Sequence, residues 1–292
     1  MIKKKKLYDD MQFYKEIGGI IETLRGVAVT EYFHLQKRRE SYDQFEGQLR
    51  KFFQMIKLKD FQHPFLGNNN TAQNFILITS DTGFLGKLNI SVINRGLEQY
   101  RQGDTIVVVG KQGLRYIDSD LLGDGLKHLP GIKDDITYDY LEKITSYIID
   151  NFLKEKLART TVIYPHFISF TMQKIQQFQI FPCSFLFPEE EKEKTSDNNF
   201  LDFQEENIFE PSLKRVVERL VRIWVGQLLR VVCWESKLSE WAARVTLLER
   251  SSAEITETNK KLKHDYFRLL RELNNKGIRE IFASRLTLAK EK

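Results

Sequence analysis

The chain has 292 residues, 41% of them hydrophobic and 29% charged, and 45 basic residues against 40 acidic ones leave a net charge of +5. A balance this even over this length is weak support for a nucleic-acid-binding or lipid-binding protein. No stretch approaches the roughly eighteen apolar residues that cross a bilayer, so a membrane span is not predicted. The basic run at residues 3–6 is not followed by an apolar stretch, so no secretory signal is predicted either.

Residues 1–62 are predicted to form one long helix, because no proline occurs before Pro64 and charged residues fill the positions between apolar ones. Three glycines weaken this helix by about 1 kcal/mol each relative to alanine and leave room for a second helix to approach closely. The glycines are Gly18, Gly19 and Gly26. The apolar positions are Ile17, Ile20, Ile21, Leu24, Val27, Ala28 and Leu35.

Residues 72–187 have the mixed pattern of a compact α/β domain. Short apolar runs that predict buried strands alternate with helical stretches, an order typical of a Rossmann-like layer with parallel strands. The predicted strands are 75–79, 105–109 and 160–164, with a further strand at 181–187, and the predicted helices are 85–101 and 135–157.

Glycines follow two of the predicted strands, at the place where phosphate loops often lie. The segment TGFLGKL at residues 82–88 lacks both the spacing and the hydroxyl residue of a Walker loop, and GxGxxG is absent. The glycines are therefore assigned to tight turns, and no cofactor is predicted. An autonomous nucleotide-binding enzyme remains an alternative function.

Catalytic and metal-binding patterns are also missing from the sequence. The histidines are scattered singly, with neither HExxH nor GxSxG, so no catalytic or metal residue is predicted. Cys183 and Cys233 belong to no CxxC motif and have no histidine at ligand spacing, which predicts reduced thiols.

Residues 188–210 are rich in acidic and polar side chains and are predicted to form an acidic linker loop. Residues 211–292 then predict a second long helix, headed by Pro211. From Trp241 onward its apolar residues follow the alternating steps of four and three that define a coiled-coil seam. The seam positions are Val245, Leu248, Ser252, Ile255, Asn259, Leu262, Tyr266, Leu269 and Leu273.

A heptad seam needs a partner helix, and the two long helices at opposite ends of the chain are most simply paired with each other. We therefore predict an antiparallel coiled coil of the N- and C-terminal helices beside the central α/β domain. Two alternatives are that each helix packs separately on a globular body, and that the chain is a coiled-coil scaffold or nucleic-acid binder.

Six segments, in the right order, resemble the gamma subunit of F-type ATP synthases. Residues 78–89, ITSDTGFLGKLN, resemble its ITSDRGLCGxLN signature, and residues 239–244, SEWAAR, its SExxAR motif. Residues 107–113 resemble the family's VVVGxKG segment, and residues 23–28 resemble a TMKxVA-like segment. Residues 266–281 resemble the family's C-terminal YNKxRQxxITxELxEI segment. The family's YxxFxSxxxQ…P stretch is matched by Tyr164, Phe167, Ser169, Gln173 and Pro182.

The resemblance implies a rotor that performs no bond chemistry. In the family, the paired terminal helices stand inside a hexamer of alpha and beta subunits, and the α/β domain forms a foot beside the epsilon subunit and the membrane c-ring. Rotation of this asymmetric shaft changes the conformations of the three ATP sites in turn. The implied partners are thus alpha, beta, epsilon and the c-ring, with contact to the membrane only through them.

The resemblance also implies partner-contact residues. Leu24 and Arg25 match a Met-Lys pair near the lever region of a beta subunit, and Glu240 and Arg244 match the motif that supports it. Leu270 and Arg271 align with an Arg-Gln pair that bonds a catch loop of the hexamer.

The first signature departs from the family at positions that include Thr82, in place of arginine, and Leu85, in place of cysteine. The chain therefore resembles a divergent member, of an alternative or sodium-linked rotary ATPase. Without a chloroplast-type insertion or a transit peptide, we expect a bacterial protein on the cytoplasmic face of the inner membrane.

Overall fold

The computed structural model describes residues 2–37, 63–118, 122–133, 135–187 and 210–290, with positions 49, 51–53 and 56. Its longer helices are α1 (Ile2–Gln36), α2 (Leu88–Leu97), α3 (Tyr138–Lys154) and α4 (Leu213–Lys290). Its strands are β1 (Gln73–Ile78), β2 (Thr105–Val109), β3 (Leu126–Leu129), β4 (Arg159–Ser169) and β5 (Met172–Phe181). The chain divides into two compact units, residues 31–243 and residues 1–30 with 244–292.

The first unit is built on a five-stranded sheet in the order β3-β2-β1-β4-β5. The first four strands are parallel and β5 runs antiparallel to β4. In the centre of the sheet, Ile76 of β1 pairs with Val107 of β2 on one side and with Val162 of β4 on the other. The predicted α/β layer with parallel neighbours is therefore confirmed.

Alternate residues of β1 face opposite sides of the sheet, as the two-residue period of a strand requires. Phe75 and Leu77 are buried in a cluster with Val92 and Ile93 of α2. Ile76 and Ile78 belong to a larger cluster on the other face, with side chains from α3 and from α4. The α4 members of that cluster are Val217, Val221, Trp224, Val225, Leu229, Val232 and Cys233.

The prediction of a fourth strand at residues 181–187 is wrong. The antiparallel edge strand is β5, which ends at Phe181, and Ser184–Leu186 form a short 3-10 helix. Pro182 has no N–H with which to continue a ladder. The sequence pattern missed β5 because four glutamines and a lysine separate most of its apolar residues, so that no continuous apolar run marks the strand.

The second unit pairs the chain ends in antiparallel fashion. The rings of Tyr8 and Tyr266 lie 6.0 Å apart between centroids. Further along, a Cβ built on Gly18 would lie 3.5 Å from Cγ2 of Ile255. Residue numbers that increase along α1 are matched by residue numbers that decrease along α4. This confirms the predicted antiparallel pairing of the two terminal helices.

The predicted seam of α4 is the less exposed face of that helix. Val245 and Leu248 are buried, the positions from Ser252 to Leu269 are half-buried, and Leu273 at the end is 42% exposed. The expected close approach at the glycines of α1 is wrong for Gly19 and Gly26, since nothing lies within 4 Å of a Cβ at either position.

The predicted domain boundaries stay predictions. The acidic linker at 188–210 lies outside the described residues except for its last position, and so does most of 38–62. Within the described ranges, α1 falls inside 1–62, the five strands inside 72–187 and α4 inside 211–292.

Candidate functional site

Residues 234–240 of α4, which we call the α4 anchor, are hydrogen-bonded to the sheet unit around them. The indole Nε1 of Trp234 donates to the carbonyl oxygen of Leu35 at 3.0 Å, which ties α4 to the last turn of α1. The hydroxyl of Ser239 donates to the carbonyl oxygen of Pro165 in β4 at 3.0 Å. Both bonds are buried, and each contributes about 1 kcal/mol.

A second contact between the anchor and β4 is polar and partly buried. Nδ1 of His166 lies 2.7 Å from Oε2 of Glu235. Burial raises the pKa of the neighbouring Tyr164 phenol, and the hydrogen-bonded Glu235 carboxylate raises it further. Tyr164 therefore keeps its proton throughout the physiological range and serves as a donor to Glu235.

The last turn of the anchor contains a buried ion pair. Nζ of Lys237 lies 3.2 Å from Oε2 of Glu240, and the two side chains are only 6% and 8% exposed. The other carboxylate oxygen, Oε1, accepts a hydrogen bond from the hydroxyl of Thr82 at 3.3 Å. Glu240 thus joins α4 to the loop that follows β1.

That loop packs against the loop that follows β2. The backbone N–H of Lys111 donates to Oδ1 of Asp81 at 2.9 Å, and that of Gln112 donates to the carbonyl oxygen of Ser80 at 2.9 Å. Gly110 is required here, because a Cβ would lie 2.4 Å from the carbonyl oxygen of Thr79. Close packing of the two loops therefore accounts for Gly110, whereas nothing lies within 4 Å of a Cβ built on Gly83 or Gly86.

Both cysteines are free and buried. Burial raises the pKa of both thiols, Cys183 and Cys233, to about 12. Protonated thiols are poor nucleophiles and poor metal ligands. Within the described part of the chain, no three His, Cys, Asp or Glu side chains are grouped to hold a metal ion.

One face of α1 is apolar and exposed. Phe13, Ile20, Leu24 and Val27, which we call the α1 stripe, are 58%, 61%, 38% and 52% exposed. Their spacing of seven, four and three residues places them on one side of the helix. Contiguous exposed apolar side chains mark an interaction surface.

The ATP synthase family model matches residues 3–283. A curated relative from Mycoplasmopsis synoviae, named ATP synthase gamma chain, is 26% identical over 210 residues, covering 72% of this chain and 71% of its own. The chain belongs to the ATP synthase gamma family. Another gamma chain, from Halothermothrix orenii, is 25% identical over 277 residues and aligns over 91% of this chain and 92% of its own.

Solved structures show the same fold. A chain in the OSCP/F1/c-ring assembly of the Euglena gracilis mitochondrial ATP synthase aligns with a TM-score of 0.71 at 16% identity, over 99% of this chain and 96% of that one. A chain of the rotor of the same enzyme aligns with a TM-score of 0.68 at 17% identity, over 93% and 98%. The predicted membership of the gamma family is confirmed. Over the described residues, no helix has an apolar stretch suited to crossing a membrane.

The predicted partner-contact residues of this gamma-family chain lie in different surroundings. Leu24 belongs to the exposed α1 stripe, and the neighbouring Arg25 forms an ion pair with Glu22. Leu270 is half-buried and Arg271 is exposed, both on α4. Their role as contacts stays a prediction.

Glu240 and Arg244, the other predicted pair, are both buried, at 6% exposure each. Glu240 contacts Thr82 and Lys237 rather than solvent. The role of Glu240 and Arg244 at the contact with a beta subunit also stays a prediction.

Sequence reasoning missed Lys237 and Trp234. Lys237 is the one basic residue between Val231 and Ala243, an otherwise largely apolar segment, and it precedes Glu240 by one helical turn. A charged residue on the buried side of a helix, with an opposite charge one turn away, predicts a buried ion pair. That signal was available in the sequence.

Proposed function

We propose that this chain is the central-stalk rotor of an F-type ATP synthase, coupling ion flow through the membrane ring to ATP synthesis or hydrolysis at the alpha and beta subunits. The observation that carries the proposal is the antiparallel pairing of the two chain ends, in a chain that matches the family from residue 3 to residue 283. Such a pair is stiff along its length and can transmit torque without taking part in bond chemistry.

Torque requires that α4 does not slip against the sheet unit. The α4 anchor supplies this resistance, because Trp234, Ser239 and Glu240 bond to three separate parts of that unit. Since α4 is one uninterrupted helix from Leu213 to Lys290, rotation of the anchor twists the residues that pair with α1. Differential contact of the helix pair with three beta subunits then couples their ATP sites.

The α1 stripe supports contact with the alpha and beta subunits, and Leu24 lies on it. We assign Arg25, Leu270 and Arg271 to contacts with the same subunits, and Glu240 and Arg244 to a supporting role. The epsilon subunit and the c-ring are assigned to the sheet unit. The bacterial origin of the curated relatives supports a peripheral position on the cytoplasmic face of the inner membrane.

The chain is proposed to be non-catalytic within its enzyme complex. The loops that could have held phosphate are filled by their own hydrogen bonds, and the two thiols stay protonated. Titration calorimetry of the isolated chain with ATP is expected to give no saturable binding. Saturable binding would support the autonomous nucleotide-binding alternative instead.

Co-expression tests the assembly directly. The chain, produced with alpha- and beta-type subunits from the same source, is expected to purify with both in a complex that hydrolyses ATP. A stoichiometric complex that contains neither subunit would contradict the proposal. Removal of successive helical turns from the end of α4 is expected to abolish coupled synthesis before it abolishes assembly.

A further inference from the structure

Two adjoining cavities lie along α3 and α4. The first, of about 350 Å³, is lined by both helices and includes Arg219, Arg222 and Arg230 of α4. The second, of about 400 Å³, shares Arg219 and Arg222 with the first. The cavities therefore form one groove, which we call the arginine groove, and all of its lining residues belong to the sheet unit.

The arginine groove has more positive charge than its own carboxylates neutralise. Each carboxylate on its walls already has a basic partner in the chain, in the pairs Glu142–Arg222, Asp150–Lys154 and Glu218–His63. Among the described residues, no carboxylate pairs with Arg219 or Arg230. Arg219 also lies one turn from Arg215 and from Arg222, and like charges at this spacing repel each other. An anionic ligand would relieve this repulsion.

Gly226 lies between the two unpaired arginines, seven residues after Arg219 and four before Arg230, on the same face of α4. A glycine inside a helix is destabilising relative to alanine. Packing against α3 does not require it, because a Cβ at position 226 would lie 3.6 Å from Oγ1 of Thr145, an ordinary contact distance. Glycine here keeps space open between the arginines, where a ligand can approach the backbone closely.

Thr145 is a second lining residue with unused capacity. Its side chain is 1% exposed, and its hydroxyl has no hydrogen-bond partner among the residues that the structure describes. A buried hydroxyl without a partner is costly, because it has lost its water. This wall of the groove therefore has a donor to offer beside the arginines.

The length of the groove indicates the class of anion. Arg219 and Arg230 are eleven residues apart, about 16 Å along the helix axis, which is longer than a single phosphate group or a small carboxylate. A membrane surface is flat and would contact only the rim of a groove. A helix carries side chains three turns apart at the same spacing, and the apolar walls at Leu141 and Ile223 suit apolar residues between them.

We propose that the arginine groove binds an acidic amphipathic helix of a partner protein. Two carboxylates three turns apart on that helix pair with Arg219 and Arg230, because a guanidinium matches a carboxylate in shape and charge. Apolar side chains between the carboxylates pack at Gly226. The binding is a property of the isolated chain and does not depend on the rotor proposal.

The test uses two synthetic helical peptides of identical composition, measured by fluorescence anisotropy with the purified full chain. One has glutamates eleven residues apart with two leucines between them on the same face. The other has its glutamates nine residues apart, which puts them on opposite sides of the helix. The first peptide is expected to bind about tenfold more tightly or better. Equal binding of the two peptides would overturn the proposal.

Charge variants locate the binding on the chain. Arg230→Gln and Arg219→Gln are each expected to weaken binding of the first peptide about fivefold or more. Arg95→Gln is the matched control, since Arg95 lies on α2, outside the groove, and pairs with Glu98. It removes the same charge and should change the affinity less than about twofold. Equal effects of the three variants would overturn the proposal.

Gly226→Ala separates ligand binding from folding. It is expected to weaken peptide binding about threefold or more and to leave the unfolding midpoint unchanged or higher, because alanine is the better helix former. A lower midpoint with unchanged binding would assign Gly226 to packing and overturn its role in the groove.

Vesicles of phosphatidylglycerol and phosphatidylcholine provide the comparison with a membrane surface. Vesicle binding that Arg230→Gln abolishes, in a chain that does not distinguish the two peptides, would overturn the proposal in favour of a lipid surface.

Discussion

Tyr8 and Tyr266 lie ring to ring across the helix pair, with centroids 6.0 Å apart, although 257 residues separate them in the sequence. The same alignment continues to Gly18 and Ile255. Residue numbers on the two helices therefore have a near-constant sum, which defines one antiparallel register. Because the two ends hold each other, they form a single compact unit.

The first prediction concerns the seam of this pair. Leu269 is half-buried on the seam face of α4, whereas Phe267 is 49% exposed. Leu269→Asp is expected to cost about 2 kcal/mol, because it places a charge against the partner helix. Phe267→Asp, two residues away on the outer face, is the control and should cost far less. Circular dichroism during thermal unfolding measures both, and equal losses would argue against the assigned register.

The second prediction concerns the glycines of α1. Gly19 and Gly26 are exposed, and nothing lies within 4 Å of the position that a Cβ would take on either of them. Gly26→Ala should therefore stabilise the helix by about 1 kcal/mol, since alanine reduces the entropy lost on folding without a clash. Chemical denaturation of the chain measures the change. A loss of stability would contradict the absence of close neighbours around Gly26.

The third prediction concerns thiol chemistry. With the pKa of Cys183 and of Cys233 each raised to about 12, only about one thiol in ten thousand is ionised at pH 8. An aromatic disulfide reagent should therefore not label the native chain on the timescale on which it labels the same chain in denaturant. Rapid labelling of two thiols without denaturant would contradict the burial of both.

The fourth prediction concerns pH. Burial lowers the pKa of His63, and the nearby Lys214 lowers it further, although the hydrogen-bonded Glu218 carboxylate opposes both effects. The unfolded chain therefore binds the proton more readily than the native chain does. Stability should be fully present above about pH 6.5, the ordinary histidine value, and should decline as the pH falls through the lowered pKa.

Replacement of His63 by glutamine should flatten that decline, because residue 63 then no longer binds a proton in the unfolded chain that it releases in the native chain. Glu218→Gln should increase it, since a carboxylate that raises the His63 pKa is removed. Denaturation midpoints measured between pH 5 and pH 8 decide between these outcomes. An unchanged slope in both variants would remove His63 as the cause.

The parts of the fold that sequence patterns predicted correctly are those with strong local periodicity. The strands at residues 73–78 and 105–109 are buried on both faces, so their apolar runs stand out. The heptad from Val245 to Leu269 is equally regular. Strand β5 was missed because polar residues separate most of its apolar residues, as an edge strand with a partly exposed face allows.

The contacts of the α4 anchor and the exposure of the α1 stripe were harder to predict, because both depend on tertiary packing that sequence spacing does not encode. Lys237 and Thr82 are brought together on Glu240 only by the packing of α4 against the loop after β1. Likewise, Ile17, Ile20 and Val27 all read as one apolar face in the sequence. In the structure Ile20 and Val27 are exposed while Ile17 is half-buried, so the helix carries one half-buried apolar face and one exposed apolar face.

The most direct test of the rotor proposal is a cross-link within the helix pair. A Cβ at position 18 would lie 3.5 Å from Cγ2 of Ile255, so Gly18→Cys with Ile255→Cys places two thiols within reach of each other, while both native cysteines are buried. In the assembled ATP synthase, oxidation should form this disulfide and leave ATP-driven ion pumping unchanged, because α1 and α4 turn as one body. Failure of the disulfide to form, or a loss of pumping on oxidation that a reductant reverses, would contradict a single two-helix shaft.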